Sequence, residues 1–100
     1  DPEILLLDEP AAGLDLRGRE ELLKKLDEIF AAANSPLPII VTHHLEEIPK
    51  GMTHALLLRE GQIVASGPIS SVITSENLTN CYGYPLTVTH ASGRYSAISA

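Results

Sequence analysis

Two acidic residues stand side by side at the end of one apolar run, and a histidine stands at the end of another. The first run is Ile4-Leu5-Leu6-Leu7, stopped by Asp8-Glu9-Pro10; the second is Ile39-Ile40-Val41-Thr42, followed by His43. Adjacent residues on an extended chain point to opposite sides, so Asp8 and Glu9 are expected to take different tasks and not to share one proton. A nucleotide-hydrolysing site needs that division: one carboxylate serves Mg²⁺ through water, and another orients or deprotonates the attacking water. Asp8 is assigned the metal and Glu9 the water. Pro10 pushes the residue before it away from helical geometry, which predicts an extended Glu9. An imidazole at position 43 is suited to donate a hydrogen bond to a γ-phosphate oxygen and so to sense that phosphate.

Each residue alone has a plainer explanation. Taken alone, Asp8-Glu9-Pro10 more often reads as a polar turn after a core strand, and His43 as a satisfied structural histidine. What brings them together is the order of elements. The run at 4–7 suits a strand buried on both faces of a parallel sheet. From residue 16 to about 33, Leu22, Leu23, Leu26, Ile29, Phe30 and Ala33 fall on one helical stripe, with Asp15 placed to cap it. On the opposite face Glu20 precedes Lys24 and Glu21 precedes Lys25, which predicts a solvated surface with ion pairs one turn apart. Asn34-Ser35-Pro36 ends the helix, and the β-branched run at 39–42 is a second buried strand. Strand, helix, strand predicts a βαβ unit with parallel pairing and a right-handed crossover. The carboxyl ends of both strands then lie on one edge, where open α/β sheets bind ligands.

Beyond this unit, a short helical segment at 45–48 is expected before Pro49 and Gly51. Strands at 55–59 and 62–66 flank Glu60-Gly61, a two-residue hairpin connection. Gly67-Pro68 opens a stretch at 69–82 with one or two short helices. Residues 86–89 and 95–98, around Ser92-Gly93, predict a weak terminal hairpin.

Several features are set aside. The segment Gly13-Leu14-Asp15-Leu16-Arg17-Gly18-Arg19-Glu20 has the glycine spacing of a phosphate-binding loop, but Arg19 and Glu20 occupy the Lys and Ser/Thr positions. Glu20 would set negative charge against phosphate. His44, Glu46 and Glu47 lack the spacing of a zinc site. His54 and His90 read as surface or packing residues, and Cys81, the single cysteine, as a packed reduced thiol. A formal charge of −6 without a basic cluster argues against nucleic acid or an anionic lipid surface. No apolar run approaches the roughly 20 residues a membrane-spanning helix needs. Asp1-Pro2-Glu3 shows neither an initiator Met nor a targeting stretch, so the sequence reads as beginning mid-protein.

The residues Ile4-Leu5-Leu6-Leu7-Asp8-Glu9-Pro10, then Ala12-Gly13-Leu14-Asp15, then Ile40-Val41-Thr42-His43, resemble the ATP-binding-cassette (ABC) ATPases in order and spacing. In that family they are the Walker B strand with its catalytic glutamate, the D-loop and the switch-histidine loop. The likeness continues through Leu56-Leu57-Leu58-Arg59-Glu60-Gly61-Gln62-Ile63 to Gly67. It implies a P-loop NTPase-like α/β fold: a partial parallel sheet, then antiparallel strands, a C-terminal helical segment and a hairpin. Residues 1–67 would be part of the catalytic core, and 68–100 C-terminal helices and the hairpin.

The resemblance also implies ATP and Mg²⁺ as ligands, with Asp8 on the metal through water, Glu9 polarising the hydrolytic water, and His43 on the γ-phosphate. Asp15 would act at the contact with a second nucleotide-binding domain. A transmembrane permease would be the other partner, with the protein on the cytoplasmic face and no segment of its own in the membrane. The family's Gly-rich Lys loop and its Leu-Ser-Gly-Gly signature lie upstream of the Walker B strand and do not occur in these residues, which predicts an inactive isolated chain. Thr42-His43-His44-Leu45-Glu46-Glu47-Ile48-Pro49 looks like a subgroup related to metal-anion or iron-type transporters. The alternatives to a transport ATPase are a non-transport ABC ATPase and a non-catalytic module that keeps the fold.

Overall fold

The computed structural model describes residues 3–100, so the reading of Asp1 and Pro2 lies outside the described residues. The chain divides into two compact units, Asp1–Gly51 and Met52–Ala100.

In the first unit, β1 (Ile4–Asp8) and β2 (Leu37–Val41) pair in parallel, joined through helix α1 (Leu16–Phe30). This is the βαβ unit expected from the two apolar runs. The register runs from Ile4 opposite Leu37 to Asp8 opposite Val41, so the two carboxyl ends are level. Asp15 caps α1 as its position suggested: its Oδ1 accepts the Gly18 amide at 2.8 Å. Along α1, Leu23 and Leu26 are buried. The predicted ion pairs on the polar face are not the ones that form at Glu21. Arg17 reaches it from one turn earlier, at 2.6 Å, and Arg19 reaches Glu20 at 3.1 Å. A guanidinium offers a planar fork that suits a carboxylate better than the ammonium of Lys24 or Lys25.

Burial alternates along both strands. Leu5, Leu7, Pro38 and Ile40 are half-buried, whereas Ile4, Leu6, Leu37, Ile39 and Val41 are exposed, Leu6 by 62%. The expectation of strands buried on both faces is therefore corrected: in this chain one face is open. Continuous apolar runs record that both faces were meant for burial, but not what covers them.

The second unit begins with an antiparallel hairpin, β3 (His54–Arg59) and β4 (Gln62–Pro68). Its turn residues Glu60 and Gly61 both have positive φ, 51° and 76°, the form that matches the twist of paired strands. Two short helices follow, α2 (Ile69–Val72) and α3 (Ser75–Tyr82), with Val72, Ile73 and Leu78 buried. Thr74 caps α3 by accepting the Asn77 amide, and Gly83 closes it in the left-handed region at φ 64°. Arg59 donates to the Asn80 carbonyl at 2.8 Å in the last turn of α3. The terminal hairpin, β5 (Leu86–Ala91) and β6 (Arg94–Ser99), pairs without a break around Ser92-Gly93. It is longer than the sequence suggested, and Tyr95 on β6 is buried, with its ring stacked 4.2 Å from His90.

Candidate functional site

The carboxyl edge of the β1–β2 pair carries the residues singled out above. Asp8 is the last residue of β1, opposite Val41. The Glu9 amide donates to the Val41 carbonyl at 2.7 Å, one residue beyond the strand itself. Thr42 and His43 follow Val41 directly. The structure thus brings Asp8, Glu9 and His43 to the same rim of one parallel pair, and leaves His54 and His90 in the other unit. Asp8 and His43 are exposed and Glu9 is half-buried.

Glu9 departs from the extended geometry that Pro10 suggested: its φ is +48°. The reason lies in its hydrogen bonds. Its amide still belongs to the ladder, while its carbonyl already accepts the Ala12 amide at 3.1 Å, closing a turn with Pro10 in second place. One residue must turn the chain from strand to loop, and a left-handed backbone does this at a cost of about 1–2 kcal/mol for a residue with a Cβ. Such strain concentrates at functional positions, where the surrounding structure holds it. Both carboxylates remain at the strand end, but the backbone around Glu9 does not follow simple strand alternation.

The glycines that mimic a phosphate loop have local explanations. Gly13 has φ +80° in the turn that leads to α1, and a Cβ there would meet no atom within 4 Å, so backbone conformation alone favours glycine. Gly18 supplies the amide that Asp15 caps, and a Cβ on it would stand 3.1 Å from the same Oδ1.

Asp15 therefore has a structural task that needs no second subunit. Asp15→Ala is expected to cost about 1 kcal/mol through the lost cap, read by chemical unfolding. Asp15→Asn keeps an accepting oxygen and is expected to unfold like the parent. A role at a subunit contact then shows itself as weakened nucleotide-dependent dimerisation in the Asn variant. Unchanged dimerisation there would leave Asp15 as a cap only.

Two contacts in the first unit were not visible in the sequence. The Thr42 hydroxyl lies 3.0 Å from Glu47 Oε1, and Glu47 is only 9% exposed. From α1, the Asp27 carboxylate accepts the amides of Lys50 and Gly51, at 3.2 and 2.9 Å. The Asp27 pairs join residues more than twenty positions apart, beyond the reach of a local sequence rule.

Sequence comparison places these features in context. A protein of Streptococcus mutans, named as an ABC transporter ATP-binding protein, is 48% identical over 88 residues. Over this region the chain matches ATP-binding proteins of the ATP-binding-cassette family. That match covers 88% of this chain and 34% of the relative, so the chain spans about a third of the relative's length. The molybdenum import ATP-binding protein ModC of Shewanella oneidensis is 45% identical over 78 residues, 77% of this chain and 21% of that protein. Among solved structures, an inward-facing ABC transporter described as of metal-chelate type superposes with a TM-score of 0.75 and 25% identity. That alignment covers 95% of this chain and 38% of the other. No protein-family model matches the chain. The α/β architecture matches that of an ABC ATPase domain fragment.

Proposed function

We propose that the chain is the C-terminal part of an ABC nucleotide-binding subunit, in which the rim of β1 and β2 forms the hydrolytic side of an ATP site. One observation carries the reading: the β1–β2 register, extended by the Glu9 amide on the Val41 carbonyl, gathers Asp8, Glu9 and His43 on a single strand edge. Residues 1–67 contribute the catalytic half, and 68–100 the C-terminal helices and hairpin.

In this reading Glu9 holds and polarises the attacking water, His43 donates to the γ-phosphate, and Asp8 holds Mg²⁺ through water. Among the described residues no group of three or more His, Cys, Asp or Glu forms a metal cage. A lone exposed carboxylate suits Mg²⁺, which keeps several waters and takes its other ligands from phosphate. Bound there, Mg²⁺ neutralises charge on the phosphates. The chain's own residues act at the water and the γ-phosphate: Glu9 takes the proton of the water and His43 responds to the phosphate that leaves.

Asp15 faces a second nucleotide-binding domain, and a transmembrane permease couples closure of the pair to transport at the cytoplasmic face. Among the described residues no helix is long and apolar enough to cross a membrane. The resemblance of the switch-histidine segment to metal-anion and iron-type transporters, with relatives named for molybdenum import and metal-chelate transport, supports a permease of that cargo class.

The 100 residues by themselves contain no Gly-rich Lys loop. Without its amides and lysine, Asp8 and Glu9 meet the triphosphate with repulsion. Isothermal titration of the 100-residue chain with Mg-ATP is therefore expected to show no saturable binding, whereas a chain extended upstream binds ATP. Equal affinity of the two would contradict this division of labour.

A further inference from the structure

Glu47 is a buried charged side chain in the connection that follows β2. Burying a carboxylate is unfavourable unless hydrogen bonds compensate it, and the donor here is the Thr42 hydroxyl at 3.0 Å. The same oxygen accepts the His44 amide, also at 3.0 Å. It lies farther from the His44 carbonyl, at 3.4 Å, so its single proton goes to the carboxylate and its lone pair to the amide. Residues 42–44 are thereby closed into a turn by a side chain of their own, with His43 at the apex.

The turn is fixed downstream as well. The Glu47 amide donates to the His44 carbonyl at 3.0 Å, and Ile48 to Leu45 at 3.1 Å, forming a short 3₁₀ turn over Leu45–Glu47. Asp27 then fastens Lys50 and Gly51 to α1. His43 is exposed between Thr42 and His44, which the Thr42 hydroxyl ties together.

We infer that Thr42 and Glu47 form a latch that sets the direction of the His43 imidazole, and that they are positioning residues for ATP hydrolysis. This rests on the reading of His43 as the γ-phosphate contact. A side chain held at its working angle loses less freedom when the phosphate arrives, and its effect falls on turnover more than on nucleotide affinity. Thr42 touches no reacting atom; it acts through His43.

The test uses the full-length subunit in its native assembly, with steady-state ATPase kinetics. Thr42→Val keeps the shape and removes the hydroxyl. It is expected to lower kcat about tenfold, the factor carried by one charge-assisted hydrogen bond, with KM for ATP changed less than about threefold. Thr42→Ser restores the hydroxyl and is expected to return kcat to within about twofold of the parent. Thr42→Ala, which introduces no bulk, repeats the loss if Val disturbs folding. NMR relaxation of the His43 ring is expected to show greater mobility in the Val and Ala variants and parental behaviour in the Ser variant.

His43→Ala separates the two levels of the argument. Full turnover in His43→Ala overturns the assignment of His43 itself. Lost turnover in His43→Ala with parental kcat in Thr42→Val and Thr42→Ala leaves that assignment standing and overturns the latch. A fall in kcat without greater mobility of the His43 ring, or without recovery in Thr42→Ser, also overturns it.

Discussion

Glu9→Gln, in a chain extended upstream to bind ATP, is expected to lower turnover by about 10²- to 10⁴-fold, the usual contribution of a positioned general base. Gln fills the same volume and keeps an oxygen near the water, but it does not take a proton at neutral pH. ATP affinity is expected to hold or to rise, because removing one negative charge relieves repulsion with the triphosphate. The backbone permits a sharper version of the test. Glu9 sits at φ +48°, where glycine is not strained, so Glu9→Gly is expected to raise stability by up to about 1 kcal/mol while abolishing turnover. Unfolding and ATPase measurements then move in opposite directions in Glu9→Gly, whereas Glu9→Gln loses turnover without that gain in stability. Turnover that survives Glu9→Gln would remove Glu9 from the chemistry and leave only the strained turn to explain it.

That strained backbone marks a boundary of what the sequence discloses. The abrupt end of Ile4-Leu5-Leu6-Leu7 in charge located the edge of β1, and the leucine stripe located α1, because periodicity and composition act over a few residues. The glycine-containing turns at Glu60-Gly61 and Ser92-Gly93 were legible for the same reason: positive φ is a local demand met by local residue types. At Glu9 the rule for residues before proline pointed to extended geometry, and a competing demand prevailed. The strand ladder and the Pro10 turn share that residue, and the conflict exists only once β2 lies alongside.

The latch was hidden for a related reason. In sequence Glu47 is one of two glutamates that follow a histidine pair without the spacing of a zinc site, and only the fold buries it against Thr42. The open faces of β1 and β2 were illegible in another sense. Apolar runs report how much burial each strand is built for, and the chain itself supplies cover for one side only.

Leu23→Ala is expected to be the most disruptive single change to the site among residues that touch none of its chemistry. Leu23 is 2% exposed in the middle of α1, and truncating a leucine so buried costs about 2–5 kcal/mol. A two-stranded parallel pair has little stability of its own, so the levelled carboxyl ends that bring Asp8 and Glu9 beside His43 depend on the helix that joins them. Hydrogen exchange is the suitable measurement, because it reports each segment separately. In Leu23→Ala, amides of Ile4–Asp8 and Leu37–Val41 are expected to lose protection together, while β5 and β6 keep theirs. Leu78→Ala, at a side chain only 1% exposed in α3, serves as the counterpart. Its loss is expected to be of similar size but confined to Met52–Ala100, following the division of the chain into two compact units. Should Leu78→Ala release β1 as readily as Leu23→Ala does, the rim would owe its geometry to the whole chain and not to α1.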